Sequence, residues 1–391
     1  MNDKPLQQKD DWDFSLVLGG PLYQLFLRSR LARPDLGLLE RRVAAIVALT
    51  WLPLLVLSAI GGTLVAGTVQ VPFLQDFEAH ARFLIGLPIL IGAEVIVHRR
   101  IRPLLQHFIN TQIIPPEQLP RFHAAAARAL RIRNSVAVEV VLLVLVFTLG
   151  PWAWHQQVAV SGTTWYANAG LTAAGQWYAH VSIPVFQFVL LRWYLRLCIW
   201  YWLLWQVSRL DLKLVPSHPD RAGGLGFLVG GPNAFTMVLF AQGAVLSGLI
   251  ASRILYGGLS LLDFKAQAAG SVAFFVLFVL GPLVMFTPRM SAVKRQAQRE
   301  YGVLAARYAR EFEAKWIHGG AKDEALLGSA DLQSLADLGN SLQVVREMRV
   351  VPFGWDAVTR LAMATAAPLI PLGLTMMPLA ELVEYLFKVL L

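Results

Sequence analysis

Long apolar stretches are the feature that most restricts how this chain can fold. A helix needs about 20 mostly apolar residues to cross the hydrocarbon core of a bilayer, which is about 30 Å thick. Six stretches reach or approach this length, and a seventh is shorter and contains two prolines. In chain order they are Val43–Gly67, Phe83–Val97, Val136–Trp154, Val181–Val207, Ala234–Ser252, Ala269–Phe286 and Leu361–Met377. The sequence therefore predicts an all-α fold, a polytopic transmembrane helix bundle with about seven spans.

The composition agrees with a membrane protein. Hydrophobic residues make up 56% of the 391 residues and charged residues only 15%, whereas a typical soluble domain has about 45–50% and about 25%. These values argue against a soluble enzyme, a disordered chain and a nucleic-acid-binding domain. Cys198 is the single cysteine, which excludes an intramolecular disulfide and a multi-cysteine metal site.

The distribution of basic residues predicts the orientation of the spans. The connections hold seven, one, seven, none, three, two and eleven Lys and Arg in chain order. Because cytoplasmic loops are rich in Lys and Arg, this alternation predicts a cytoplasmic N-terminus and, with seven crossings, an external C-terminus. If the last segment re-enters or lies flat, there are six crossings and both ends are cytoplasmic.

These predictions divide the chain into four regions. Residues 1–42 form a cytoplasmic segment with an interfacial helix, and residues 43–287 form a six-span bundle with internal loops 98–134 and 208–232. Residues 288–360 are predicted to be a cytoplasmic helical hairpin, and residues 361–391 a last span or a re-entrant amphipathic segment. The hairpin prediction depends on two apolar stripes at helical spacing. The stripes are Tyr301, Leu304, Tyr308, Phe312 and Trp316, and then Leu332, Leu335, Leu338, Leu342 and Val345.

Two arginines are the most unusual feature of the spans. Arg192 and Arg196 lie one helical turn apart within Val181–Val207. An arginine at the centre of a membrane helix costs roughly 2.5–3.5 kcal/mol on insertion scales. We place Arg192 near the middle of the membrane and expect both side chains to face protein or water.

Two glutamates in other spans are the candidate partners of these arginines. Glu94 lies in the second span, with His98 one turn further on, and Glu139 lies in the third span. One interpretation is a cationic pocket or path for an anion. The alternative is a set of buried Arg–Glu pairs that only holds the bundle together.

A loop rich in glycine follows the fourth span and is a candidate ligand-binding or gating loop. Glycines can adopt positive φ, and such a loop can present consecutive amides to an anion. It lacks the Gly-Lys-Ser/Thr of a phosphate-binding loop, and a tight structural turn is the alternative. The candidate residues are His218, Asp220, Arg221, Gly223, Gly224 and Gly226.

Two outer loops give weaker predictions. Asp76, Glu78 and His80 alternate with apolar residues, which is typical of a solvated loop, with a weak cation site as the alternative. Four aromatic residues of the third loop are expected at the membrane–water interface, where Trp and Tyr are enriched. They are Trp165, Tyr166, Trp177 and Tyr178.

The basic segment Glu117–Arg133 is a candidate contact with binding partners of the protein. It is predicted to be helical with a cationic face of Arg121, Arg128 and Arg131, which indicates either contact with anionic lipid headgroups or the ordinary signal for a cytoplasmic loop. We expect the lipid bilayer as the main partner, anionic lipids as candidate contacts, and a homo-oligomer. The sequence points to no nucleic acid, no metal ion and no cofactor.

Three segments resemble a known group of proteins. His218–Phe227, Gly328–Asn340 and the Val350-Val-Pro-Phe353 step into the last span are similar to a group of uncharacterised multi-pass proteins of bacterial inner membranes. The resemblance covers most of the chain. It implies a location in the bacterial inner (cytoplasmic) membrane and carries over no activity and no catalytic residue.

Three functions follow from these observations. The first is a channel or transporter, for an anion or coupled to protons, with a path near Arg192 and Arg196. The second is a non-transporting signalling or scaffold protein that recruits a partner through its cytoplasmic helices. The third is a membrane-embedded lipid enzyme, which no paired-acid or Ser/His/Asp spacing supports.

Overall fold

The structure is a computed structural model that describes residues 14–31, 33, 37–157, 163–168, 170–319 and 329–376, without the side chains at 149–157 and 375–376. Regular structure in these ranges is helical, apart from two isolated β-bridges that join Val71 to Thr164 and Ala167 to Leu171. The prediction of an all-α fold is therefore confirmed. Residues 377–391 of the predicted last segment and 320–328 of the predicted hairpin lie outside the described residues.

The longer helices are numbered here in chain order. They are α1 (Pro21–Arg28), α2 (Leu39–Ile60), α3 (Phe77–Asn110), α4 (Leu119–Arg133), α5 (Val136–Gln157), α6 (Ala173–Ser208), α7 (Gly226–Gly257), α8 (Leu261–Val284), α9 (Thr287–Phe312), α10 (Ala330–Glu347) and α11 (Trp355–Leu374).

Six of these helices are long and apolar enough to cross a membrane, judged by length and composition over the described residues: α2, α3, α6, α7, α8 and α11. This indicates a multi-pass membrane protein. The apolar stretch of α5 that can be assessed, Val136–Thr148, is shorter, so the exact number of crossings stays a prediction.

Helices α3 and α6 are longer than their predicted spans. They have 34 and 36 residues, or about 51 and 54 Å at 1.5 Å per residue. Helix α3 begins six residues before the predicted span Phe83–Val97 and continues thirteen residues beyond it, into a polar stretch. Helix α6 begins eight residues before the predicted Val181 and ends one residue beyond Val207. Helix α4 packs against α6. The end of the bundle where α3 and α6 end, with α4 and α9–α10, is called the hairpin end below.

Helix α7 lies in the middle of the bundle because its glycines allow close contact. A Cβ atom on Gly243 would lie 2.1 Å from the carbonyl oxygen of Thr365 in α11, and one on Gly248 would lie 2.5 Å from Cβ of Ala81 in α3. Gly243 and Ser247 are small residues four apart, a spacing that lets membrane helices touch. The structure has the close contacts at Gly243 and Gly248.

The aromatic residues of the third loop do not form an interfacial belt. Trp165, Tyr166 and Tyr178 are buried, and the Trp165 ring lies 4.9 Å from that of Phe73 and 5.1 Å from that of Tyr178, centroid to centroid. The prediction for these three was wrong because the loop folds back through the Val71–Thr164 bridge. Trp177 is half-buried, and its Nε1–H donates to the carbonyl oxygen of Leu49.

Asp76 also differs from its predicted setting in a solvated loop. It is buried, and it accepts hydrogen bonds from the backbone N–H of Ala79 at 3.0 Å and from Nε1–H of Trp165 at 2.8 Å. It caps the N-terminus of α3, which is the position where a short acidic side chain satisfies a free backbone N–H. Burial raises the pKa of Asp76. The neighbouring Glu78 pairs with Arg82 one turn later.

Helices α9 and α10 pack against each other as a helical hairpin. Asp331, in the first turn of α10, accepts hydrogen bonds from Nζ of Lys315 at 2.9 Å and Nε1 of Trp316 at 3.1 Å, and its backbone carbonyl accepts one from the Tyr308 hydroxyl. The aromatic stripe predicted for the first helix therefore supplies the contacts to the second. The Arg289–Asp211 ion pair at 3.0 Å fixes the base of α9 to the chain that follows α6.

Candidate functional site

Charged side chains from four helices meet at one level of the bundle. Glu94 on α3 receives two arginines: Nη2 of Arg196 lies 2.7 Å from its Oε1, and Nη1 of Arg42 lies 3.0 Å from its Oε2. Glu139 on α5 lies 3.6 Å from Nη2 of Arg192, measured from its Oε1. These five side chains are called the charge cluster below.

Four members of the charge cluster were candidates from the sequence, and the structure brings them together. Arg192 and Arg196 are one turn apart on α6, so both point to the same side of that helix, toward α3 and α5. Arg196 also lies over the ring of its neighbour Trp193, with 4.7 Å from guanidinium carbon to ring centroid.

Arg42 is the member that sequence reasoning missed. It was counted only as a basic residue before the first span, but it is fully buried. A signal was present in the sequence, because Thr50 and Ser58 are polar residues of the same apolar helix and both are fully buried too. Polar residues in an apolar helix indicate that the helix packs on protein.

The charge cluster carries one more positive than negative group. Three arginines face two glutamates, and all five side chains are at least largely buried. Although Arg42 forms an ion pair, its three guanidinium nitrogens are buried without a hydrogen bond among the described residues. A buried charge without full compensation is costly, since the loss of hydration is only partly recovered.

A small cavity adjoins the charge cluster. It has a volume of about 20 Å³ and is lined by Glu94, Arg192 and Arg196 together with apolar side chains such as Phe26. A cavity of this size holds about one water molecule. This cavity beside the arginines therefore has no room for a column of water.

The N-terminal segment closes over the charge cluster. Oε2 of Glu139 accepts a hydrogen bond from the backbone N–H of Leu22 at 3.0 Å, in the first turn of α1. Gly20 has φ of +89°, and a Cβ atom there would lie 3.1 Å from Oε1 of Glu139. Glycine permits this backbone conformation and this approach.

The predicted residue His98 also contacts the N-terminal segment that covers the charge cluster. Its Nδ1 lies 2.8 Å from Oγ of Ser15, and Arg133 donates to the carbonyl oxygen of Ser15. His98 therefore contacts the N-terminal segment, one turn beyond Glu94 on α3. The segment forms a short helix, α1 (Pro21–Arg28), which packs on the bundle, and an interfacial position for it stays a prediction.

The positions of these residues along their helices indicate how deep the charge cluster lies in the membrane. Arg42 is the fourth residue of α2 and Glu139 the fourth residue of α5. Helix α3 continues for sixteen residues beyond Glu94 and α6 for twelve beyond Arg196, about 24 and 18 Å. If α2 and α5 begin near one membrane surface, the charge cluster lies close to that surface and not at mid-membrane, where the sequence alone suggested Arg192.

The loop at 218–226 is organised by Asp220. Its Oδ1 accepts hydrogen bonds from the backbone N–H of Ala222 at 2.8 Å and Gly224 at 3.1 Å, and its Oδ2 accepts one from Gly226 at 2.8 Å. These amides are among those that could have faced an anion. The geometry thus favours the tight structural turn, and ligand binding by this loop stays a prediction.

The other candidates of the loop connect it to the hairpin end. Arg221 pairs with Glu347 of α10 at 2.9 Å, and a Cβ atom on Gly223, whose φ is +67°, would lie 2.9 Å from Cε of Met348. His218 Nδ1 lies 2.9 Å from Oδ1 of Asp220. The loop is therefore the joint between the bundle and the end of α10.

Replacing Asp220 with alanine should loosen this joint. Burial by itself would raise the pKa of Asp220, but the backbone N–H donors outweigh it and hold the pKa below its ordinary value. The carboxylate's contribution is thus complete above its unfolded pKa, near 4, and is lost as the pH falls through the lower folded value. We expect Asp220→Ala to lose about 1–3 kcal/mol at pH 7, because partly buried amides lose their acceptor.

Thermal unfolding of the detergent-solubilised protein between pH 7 and pH 3 checks this. The difference in unfolding temperature between wild type and Asp220→Ala should narrow toward acid pH. Asp337→Ala, at an exposed position of α10, should differ little from wild type at every pH. A gap that is independent of pH would contradict the assignment.

Comparison of the chain with protein-family models, with curated proteins and with solved structures gave no match.

Proposed function

We propose that this chain is a multi-pass protein of the bacterial inner membrane, with its N-terminus and hairpin in the cytoplasm, that recruits a cytoplasmic protein through α9–α10. The orientation rests on the alternation of Lys and Arg along the connections. The recruitment rests on one observation about the hairpin, which is the apolar surface it leaves uncovered.

Among the described residues of the hairpin, four large apolar side chains are exposed over more than half of their surface. They are Val303, Leu304, Ile317 and Leu332. Leu304 and Leu332 belong to the two stripes that would be covered if the helices buried their apolar faces completely. Exposed aliphatic side chains on a part of the chain that projects from the bundle favour a protein partner, since amphipathic surfaces are a common mode of recognition.

The geometry of the charge cluster supports recruitment over permeation. Its arginines are engaged by Glu94 and Glu139, and the cavity of about 20 Å³ beside them has room for about one water molecule. Such a site stabilises the bundle without requiring a passage.

Photo-crosslinking of the full-length protein in native membranes tests the proposal. A photoreactive amino acid at position 304 or 332 should give an adduct with one cytoplasmic protein, and the same group at the exposed position 337 of α10 should not. Leu304→Ser should reduce the adduct formed from position 332, because both side chains would contact the same partner.

Three results would contradict recruitment. Adducts of equal yield from position 337 would mean that contact is unspecific. Adducts with lipid alone would mean that the hairpin lies on the membrane, and adducts of the chain with itself would mean that the apolar side chains serve self-association.

Permeation of an anion is the second candidate, and the excess positive charge of the cluster favours it. Flux of a small anion through proteoliposomes containing the purified protein separates the two functions. Flux that disappears in Arg192→Gln, with the folded protein retained, would replace recruitment as the main proposal; absence of flux in wild type agrees with recruitment.

A further inference from the structure

We propose that the charge cluster binds a single halide ion, such as chloride, in the small cavity beside Arg192 and Arg196. The ion would balance the excess positive charge of the cluster and accept hydrogen bonds from both arginines. The proposal does not rest on recruitment of a protein by the hairpin, and it requires no passage of the ion through the bundle.

Arg192 has hydrogen-bond donors to offer a ligand. It is buried, and Oε1 of its ion-pair partner Glu139 lies 3.6 Å from its Nη2, which is too far for a hydrogen bond. No hydrogen bond joins its guanidinium group to another residue within the part of the chain that the structure describes. Because a guanidinium group has several N–H donors and Arg192 lines the cavity, these donors can serve an ion there.

Arg196 and Arg42 add positive charge next to the same cavity. Arg196 lines it as well and donates one hydrogen bond among the described residues, from Nη2 to Oε1 of Glu94 at 2.7 Å. The guanidinium carbon of Arg42 lies 5.9 Å from the ring centroid of Phe26, a wall residue of the cavity. Three positive groups therefore surround this space, and most of their N–H donors are free of acceptors.

The charge of the cluster favours an anion over a water molecule. Two glutamates balance two of the three arginines, and a buried charge without compensation is costly because its hydration is lost. A water molecule could accept hydrogen bonds but would leave that charge unbalanced. A monovalent anion would bring the cluster to neutrality, whereas a divalent anion would reverse its charge.

The size of the cavity restricts the anion to a single atom. Its volume of about 20 Å³ is close to what one water molecule needs, so phosphate, sulfate and carboxylates, which have several heavy atoms, are too large. Glu94 also lines the cavity, but its two oxygens are engaged by Arg196 and Arg42. The rest of the wall is apolar and consists of Leu22, Phe26, Ile46, Ile91 and Val189.

Replacing chloride in the buffer of the detergent-solubilised full-length protein tests this site. After exchange into gluconate, the unfolding temperature should rise as chloride is added at constant ionic strength, because a ligand that binds the folded state stabilises it. Bromide should act like chloride, and sulfate should not. Equilibrium dialysis with radioactive chloride should show saturation at one ion per chain.

Two arginine variants locate the ion. Arg192→Gln should weaken chloride binding about tenfold or more, the loss expected when a hydrogen bond between charged groups is removed. The matched control is Arg209→Gln, which removes the same charge at an exposed position directly after α6 and should leave the affinity unchanged.

Two valine variants test the cavity while all charges are kept. Val189→Ile adds a methyl group to a wall of the cavity and should also weaken chloride binding. Val185→Ile, one turn earlier on α6, adds the same group at a residue that lines a larger apolar groove and not this cavity. It should bind chloride as the wild type does.

Three results would overturn the proposal. Equal unfolding temperatures in chloride and gluconate would mean that the cavity holds water or that another carboxylate balances the cluster. Equal stabilisation by chloride and sulfate would indicate a general effect of salt, and equal chloride affinity of Arg192→Gln and wild type would place the ion elsewhere. None of these results affects crosslinking from the hairpin positions 304 and 332, so either proposal can fail while the other stands.

Discussion

Replacing Glu94 with glutamine is expected to cause the largest loss of stability of any single charge substitution in the bundle. Glu94 is the carboxylate shared by Arg42 and Arg196, and glutamine would leave both guanidinium groups buried without a counter-charge. Removing one partner of a buried ion pair lowers the free energy of unfolding by about 3–5 kcal/mol. Thermal unfolding of the detergent-solubilised protein measures the change, with Glu40→Gln, an exposed acid of α2, as the control.

Because the charge cluster has one more positive than negative group, removing an arginine should destabilise the protein much less than removing Glu94. Arg42→Gln removes a cation that has no hydrogen bond within the part of the chain that the structure describes and leaves Glu94 paired with Arg196, so it should cost less than Glu94→Gln. The double variant should recover part of the loss. Equal losses for Glu94→Gln and Glu40→Gln, or a double variant less stable than Glu94→Gln, would show that the charge balance is not what stabilises this level of the bundle.

Replacing Gly243 with alanine is expected to separate α11 from α7. The added Cβ would lie 2.1 Å from the carbonyl oxygen of Thr365 and 3.1 Å from its carbonyl carbon, and neither backbone atom can turn away as a side chain can. Overpacking of this kind costs typically 1–3 kcal/mol and occasionally more. A lower unfolding temperature and faster proteolysis near α11 should both follow.

Gly270→Ala is the matched control for this prediction. Gly270 lies in α8, and a Cβ atom there meets no other atom within 4 Å. Alanine is the better helix former by up to about 1 kcal/mol, so this variant should be unchanged or slightly more stable. A Gly243→Ala protein as stable as Gly270→Ala would contradict the close packing of α7 and α11.

The helices and the hairpin were the most predictable parts of the structure. Long apolar stretches and stripes with a spacing of three and four depend on neighbouring residues in the chain, so they can be read from sequence alone. Arg192 and Arg196 could also be singled out, because a charge in an apolar helix needs a partner. Their candidate partners Glu94 and Glu139 were identified by elimination among the few acids in the spans.

What the sequence could not give depends on contacts between distant residues. Arg42 reaches Glu94 only because α2 and α3 pack side by side, and no local pattern states that contact. Trp165 was expected at the membrane surface for its amphipathic ring, yet it is buried where its loop folds back on Phe73. The docking of Ser15 on His98 is likewise a tertiary event.

The extension of α3 and α6 beyond the charge cluster has a consequence for regulation. Helix α6 ends at Ser208, about 18 Å beyond Arg196 along the helix, and the hairpin is tethered just after this end through the Arg289–Asp211 ion pair. Electrostatic influence between exposed charges fades over about 8 Å at physiological ionic strength. We therefore expect a protein held by the hairpin to lie beyond the electrostatic influence of the headgroups. Its binding should depend on its own concentration and on the salt concentration, and should change little when the surface charge of the membrane changes.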